Sequence, residues 1–190
     1  MYTKSLEFFL AFNNIFSKHK EEAINCYASN KAFTEFVIQK INIALQNMGY
    51  ETQKEYFRID AIDWKPRADE LDDTHGIRLY RHLWDLGIAV EHENNSHDWM
   101  DEVVKLAHIA CPLRVVIGYM PYNKRNEDQL HLDFVSDALQ KLSCFDNMNR
   151  GEFLIILGNC DTAGKEDCFF NYKGYVYNGE TSQFEAITMQ

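Results

Sequence analysis

Residues 83–93 read LWDLGIAVEHE, an apolar run that ends in acids. The segment Leu86–Val90 has the continuous apolar character of a strand buried on both faces. Glu91 and Glu93 follow it directly. Side chains alternate along a strand, so these two carboxylates point to one face and His92 to the other. Carboxylates at the end of a buried strand are costly unless they are paired or bound to a metal. The stretch therefore predicts both a central strand and a charged site at its end.

Working outward, residues 54–64, KEYFRIDAIDW, are rich in aromatic and β-branched residues and predict a strand that carries Asp60. A polar stretch from Lys65 to about Arg78 separates the two strands as a loop or short insertion. Residues 113–119, LRVVIGY, and 152–158, EFLIILG, predict two more buried strands, and 168–177, CFFNYKGYVY, a final edge strand or hairpin arm. Apolar residues at helical spacing predict helices over 4–17, 31–48, 98–110 and 126–142. Asn30 is placed to cap the second of these, and Gly49 to stop it. Asp98 or Ser96 begins the third and Pro112 closes it. Gly158-Asn159-Cys160-Asp161 lacks a P-loop lysine and predicts a turn. The order is helix, strand, strand, helix, strand, helix, strand, strand. It predicts an α/β fold, a central mixed sheet flanked by helices, in one domain spanning residues 1–190.

The chain of 190 residues carries 19 Lys+Arg against 29 Asp+Glu, a formal charge of -10. That balance excludes a protein that grips nucleic acid by bulk charge alone, although a small basic or metal-filled site is still open to it. Residues 64–105 hold ten acids against five basic residues, so half of the excess lies around the candidate site. The five cysteines, Cys26, Cys111, Cys144, Cys160 and Cys168, include no CxxC pair, which points to free thiols in a reducing cytoplasm. The apolar N-terminal stretch is broken by Asn13 and Asn14 and is not expected to be a signal peptide. No apolar run approaches the length of a membrane span. No GxGxxG, GxxxxGK[ST] or GxSxG motif is present, so nucleotide-cofactor binding and a serine hydrolase find no support.

Asp60, Glu91 and Glu93 from two neighbouring strands would offer a hard oxygen site for Mg²⁺ or Mn²⁺. Such an ion lowers the pKa of a bound water and stabilises charge on a phosphate. Here the sequence resembles the PD-(D/E)XK superfamily, the restriction-endonuclease-like nucleases. Their pattern is an acid on one strand, then (D/E)-X-K on the next, then a helix and another strand. Asp60 matches the first acid and Glu91 the second. Ala89-Val90 is the apolar lead-in, 98–110 the helix, and Leu113–Tyr119 the strand that follows. The resemblance covers about 31–120, the expected nuclease-like core. It also implies an assisting acid from the preceding helix, for which Glu35 is the match. Ile59 stands in place of the name-giving proline, and Glu93 replaces the lysine, giving the E-X-E form. In that form Glu93 would act as general base or as an extra metal contact.

The implied function is a Mg²⁺-dependent (or Mn²⁺-dependent) nuclease with DNA as the favoured substrate. Asp60, Glu91 and Glu93 would be catalytic, and the same three with Glu35 would hold the metal. The alternative is a catalytically inactive chain of the same fold, acting as a protein-binding, regulatory or accessory subunit, favoured by the missing lysine and the charge of -10. A homodimer or a protein partner fits either reading. Structural roles compete for each residue. Asp60 would pair with Arg58 or Arg81, and Glu93 would cap the helix over 98–110. Asp63 is expected at a strand end or turn, His92 as a hydrogen-bonded packing residue, and Arg114 in an ion pair. Lys105 is expected on a solvated helix face, the alternative being that it reaches a phosphate or stands in for the missing lysine. Trp64, Trp84 and Trp99 are expected as core or edge packing.

Overall fold

The structure, a computed structural model, describes residues 3–56, 58–66, 84–96, 98–121, 127–143, 145, 151–160 and 169–188. Three helices come first: α1 (Thr3–Lys18), α2 (Lys20–Tyr27) and α3 (Asn30–Asn47). Only Ala23 is buried in α2, so it lacks the apolar stripe by which the other helices are legible. Ser29, one residue before the expected cap, starts α3 by accepting a hydrogen bond from the Ala32 amide at 3.4 Å. Gly49, with φ of 82°, follows its end in the left-handed conformation.

A hairpin follows, β1 (Glu51–Tyr56) and β2 (Ile59–Pro66), where one strand over 54–64 is expected. The chain reverses beside Arg58, which adopts φ of 62°. No glycine, proline or asparagine marks this turn, and a non-glycine residue rarely takes that conformation. Then come β3 (Trp84–His92), α4 (Trp99–Ala107), β4 (Leu113–Pro121), α5 (Asp128–Gln140) and β5 (Glu152–Cys160). The chain ends in β6 (Lys173–Asn178) and β7 (Gln183–Ala186). β5 runs through Gly158–Cys160, where a turn is expected, and Asp161 lies outside the described residues. β7 lies outside β6 and takes the sheet edge expected of 168–177.

The seven strands form one sheet in chain order, β1-β2-β3-β4-β5-β6-β7. β3, β4 and β5 are parallel, and all other pairs are antiparallel. The sheet is thus mixed, and its parallel centre explains the unbroken apolar runs of β3, β4 and β5. One face carries Val90, Val115, Ile117 and Leu154 under Phe8, Phe12, Phe33, Val37 and Ile41 of α1 and α3. The other carries Ala89, Val116, Phe153 and Ile155 under Trp99, Val103, Leu132 and Val135 of α4 and α5. Gly118 of β4 lets the two layers close, since a Cβ there would stand 2.6 Å from the Trp99 side chain. Asp63 is buried inside β2, at a register shift next to Trp64, and not at a strand end.

No helix among the described residues is long and apolar enough to cross a membrane. Cys26 and Cys111 are free thiols, Cys160 is buried, and Cys144 and Cys168 lie outside the described residues.

Candidate functional site

The antiparallel register of β2 and β3 pairs Ala61 with Val90 and Ile62 with Ala89. Continued by one residue, it sets Asp60 opposite Glu91, and opposed residues on antiparallel strands share a face. Glu91 alternates with Val90 and lies on the face of Ala89, under α4. His92 lies on the opposite face, where its ring meets Phe33 of α3 with centroids 5.8 Å apart.

Glu91 is buried, and α4 supplies its counter-charge. The Lys105 Nζ stands 2.7 Å from Glu91 Oε1 and 2.9 Å from Glu102 Oε2. The Glu91 pKa is raised to about 8: burial pushes it up most, the hydrogen bond from Lys105 pulls it down, and the charges of Asp60 and Glu102 add to the rise. Burial opposes the Lys105 ammonium, but its bonds to Glu91 and Glu102 outweigh that and raise its pKa above the ordinary value. The expected solvated role of Lys105 is thereby corrected: the long stem carries the charge back to the sheet.

Asp60 is half-buried, and its Oδ2 accepts a hydrogen bond from the His92 backbone amide at 2.9 Å. The His92 ring is anchored below. Its Nε2 and the Tyr119 hydroxyl are hydrogen-bonded at 2.9 Å, and Tyr119 and Tyr172 hydroxyls at 3.0 Å. Burial lowers the His92 pKa to about 3, so the ring is a neutral packing group, as expected.

The structure therefore brings together Asp60, Glu91, Glu102 and Lys105. Glu93 and Glu35 are placed apart from that group. The Glu93 Oε1 accepts from the Asn95 amide at 2.7 Å, folding the loop after β3. Asp98 precedes α4 without capping it through its side chain, and its Oδ2 accepts from Asn95 Nδ2 at 2.6 Å. Asn94 ties this loop to α3 through Thr34 Oγ1 at 2.5 Å and the Asn30 carbonyl at 3.2 Å. Glu35, next to Thr34, is exposed on the helix layer across the sheet from Glu91.

Arg114 departs from its expected ion pair. It is fully buried, donates Nη2 to the Gly151 carbonyl at 3.0 Å, and lies over the Phe153 ring at 5.0 Å. Trp99 is fully buried as expected, whereas Arg81 and the side chains of Trp64 and Trp84 lie outside the described residues.

Sequence reasoning passed over Glu102 and undervalued Lys105. A signal was present: an acid and a lysine three residues apart are neighbours on a helix, and this helix directly follows the acid-ended strand. Among the described residues no three His, Cys, Asp or Glu side chains gather into a metal cage. Two carboxylates on one face are nonetheless a donor set that suits Mg²⁺, which keeps most of its waters and takes one or two carboxylates from a protein. No family model and no curated protein matches the chain.

Proposed function

We propose that this chain is a Mg²⁺-dependent or Mn²⁺-dependent nuclease of restriction-endonuclease-like fold, hydrolysing phosphodiester bonds, with DNA as the favoured substrate. One observation carries the reading: Lys105 of α4 meets Glu91 of β3, and the register of β2 and β3 sets Asp60 opposite Glu91, close enough for its charge to act on Glu91. The succession supports it, with an acid on β2, a second on β3, then α4, then β4 parallel to β3. The E-X-E sequence lacks the lysine of the resembling family, but an ammonium reaches Glu91 from α4 instead.

Asp60 and Glu91 would hold the ion. When bound, it would supply a low-pKa water and charge stabilisation at the phosphate. The His92 amide holds Asp60 in orientation through a backbone contact. Lys105 holds its ammonium between Glu91 and Glu102, within reach of the site, where it can donate to an attacking water or to a phosphate oxygen as negative charge develops. Glu93 is committed to its loop and is not needed as the base in this arrangement.

Labelled single-stranded DNA, duplex DNA and RNA, incubated with Mg²⁺ or Mn²⁺, test the proposal. The wild-type chain should cut at least one of them. Asp60→Asn and Glu91→Gln should each lower the rate by about 10²-fold or more, the scale of losing one charge-stabilising group. Wild-type protein that cuts none of the three with either metal would contradict it.

A second reading draws on a different surface. Leu130 and Phe134 of α5 are 66% and 64% exposed and lie one turn apart, on a helix without lysine or arginine. With a net charge of -10, this face suits a basic, apolar partner segment and an accessory role. Calorimetry discriminates, because that role predicts no Mg²⁺ or Mn²⁺ binding that depends on Asp60.

A further inference from the structure

The Lys105 ammonium has two docks that differ in their access to water. Its Nζ is 2.7 Å from Glu91 Oε1 and 2.9 Å from Glu102 Oε2. The Glu91 side chain is 3% exposed, that of Glu102 23%, and that of Lys105 36%. Glu91 is fixed on a central strand, whereas Glu102 and Lys105 ride on one helix three residues apart. A buried carboxylate needs one cationic partner and strains to serve two, since like charges in a low-dielectric site repel strongly. In the arrangement seen, Lys105 is that partner.

A divalent ion held by Asp60 and Glu91 would compete with Lys105 for the Glu91 carboxylate. The ammonium needs somewhere to go, and Glu102 already touches it. We propose that Glu102 is a positioning residue that retains the Lys105 ammonium when a divalent cation displaces it from Glu91. Lys105 is then an internal stand-in cation: it balances Glu91 while the metal is away. Glu102 keeps it within reach of the reacting phosphate once the metal is bound. This inference rests on the nuclease reading and adds a handover to it.

Isothermal calorimetry with Mg²⁺ and with Mn²⁺ on the full chain tests the handover. The variants are Asp60→Asn, Lys105→Met, Glu102→Gln and the double variant Lys105→Met/Glu102→Gln, with cleavage rates read in parallel. Lys105→Met should tighten metal binding about tenfold while lowering cleavage, a split in direction that loss of fold would not produce. Glu102→Gln should weaken metal binding several-fold, because Lys105 then has only Glu91 as its dock. In the Lys105→Met background the Glu102→Gln effect should vanish, since Glu102 acts through the ammonium. If Lys105→Met fails to fold, Glu102→Gln at a partly exposed position still carries the test, with Glu102→Asp expected to restore part of the affinity.

If Glu102→Gln weakens binding equally in both backgrounds, Glu102 acts only through its field and the handover is overturned. Asp60-dependent binding that neither Lys105→Met nor Glu102→Gln alters also overturns it, and leaves the nuclease reading standing. Absence of any Asp60-dependent binding or cleavage overturns the nuclease reading, and the handover with it.

Discussion

Glu91 and His92 are adjacent in the chain, yet they sit on opposite faces of the sheet with different partners. Glu91 lies under α4 against an ammonium, and His92 lies under α3 against Tyr119, whose hydroxyl in turn meets that of Tyr172. The alternation that separates them was legible from the sequence alone. Legible too was the pairing of Asp60 with Glu91, because both acids adjoin apolar strand residues that fix their facing. Glu93 lies one residue past the end of β3, and its carboxylate accepts from the Asn95 amide in the loop that follows. Alternation holds only as long as the strand does. The sequence offers Lys105 as a stand-in for the missing lysine but ranks that below a solvated face, because a reading by helix face does not count the reach of its long stem. His92 makes the pH prediction. Its pKa is about 3 in the fold, below its ordinary 6.5, so the folded state refuses a proton that the unfolded chain accepts. The contribution is fully present above about pH 6.5 and is lost as pH falls from there towards 3. Urea midpoints measured at pH 7 and pH 4 should therefore fall further in the wild type than in His92→Gln. Equal falls would show that the ring is hydrated.

At the scale of the element, the position of α4 decides the site, because it delivers Lys105 and Glu102. Trp99 anchors its first turn against Gly118, where a Cβ would stand 2.6 Å from the indole side chain. Gly118→Ala should cost about 1–3 kcal/mol by chemical denaturation, the usual penalty of overpacking a filled site. It should also reduce any metal-dependent activity, since the helix must shift to make room. The central strands and four of the five helices were readable because each has a continuous apolar run or an apolar stripe at helical period. The β1–β2 reversal was not, since its turn uses Arg58 in a left-handed conformation in place of glycine or asparagine. Helix α5 supplies a contrasting case. Leu130 and Phe134 are exposed, so Leu130→Ser/Phe134→Ser should change stability by no more than about 0.5 kcal/mol. A much larger loss would show that this face is covered within the chain.

For the whole molecule, the net charge of -10 sets the terms on which a nucleic acid can be approached. Acids dominate, so phosphate binding cannot come from counterion release over a broad surface. It must come from one small cationic locus. Retention of a labelled oligonucleotide on a filter at about 0.15 M salt should then be negligible in EDTA. It should appear with Mg²⁺ in the wild type and stay absent with Mg²⁺ in Asp60→Asn. Retention in EDTA would place the binding surface elsewhere. The α/β class followed from the alternation of strand and helix patterns, whereas the meeting of two strands and a helix at one carboxylate is a tertiary fact that no single segment encodes. Anomalous scattering from crystals grown with Mn²⁺ decides whether that meeting point is a metal site. One peak within about 2.5 Å of carboxylate oxygens of both Asp60 and Glu91, with Lys105 turned onto Glu102, is the expected result. No peak there, with Lys105 still seated on Glu91, would contradict it.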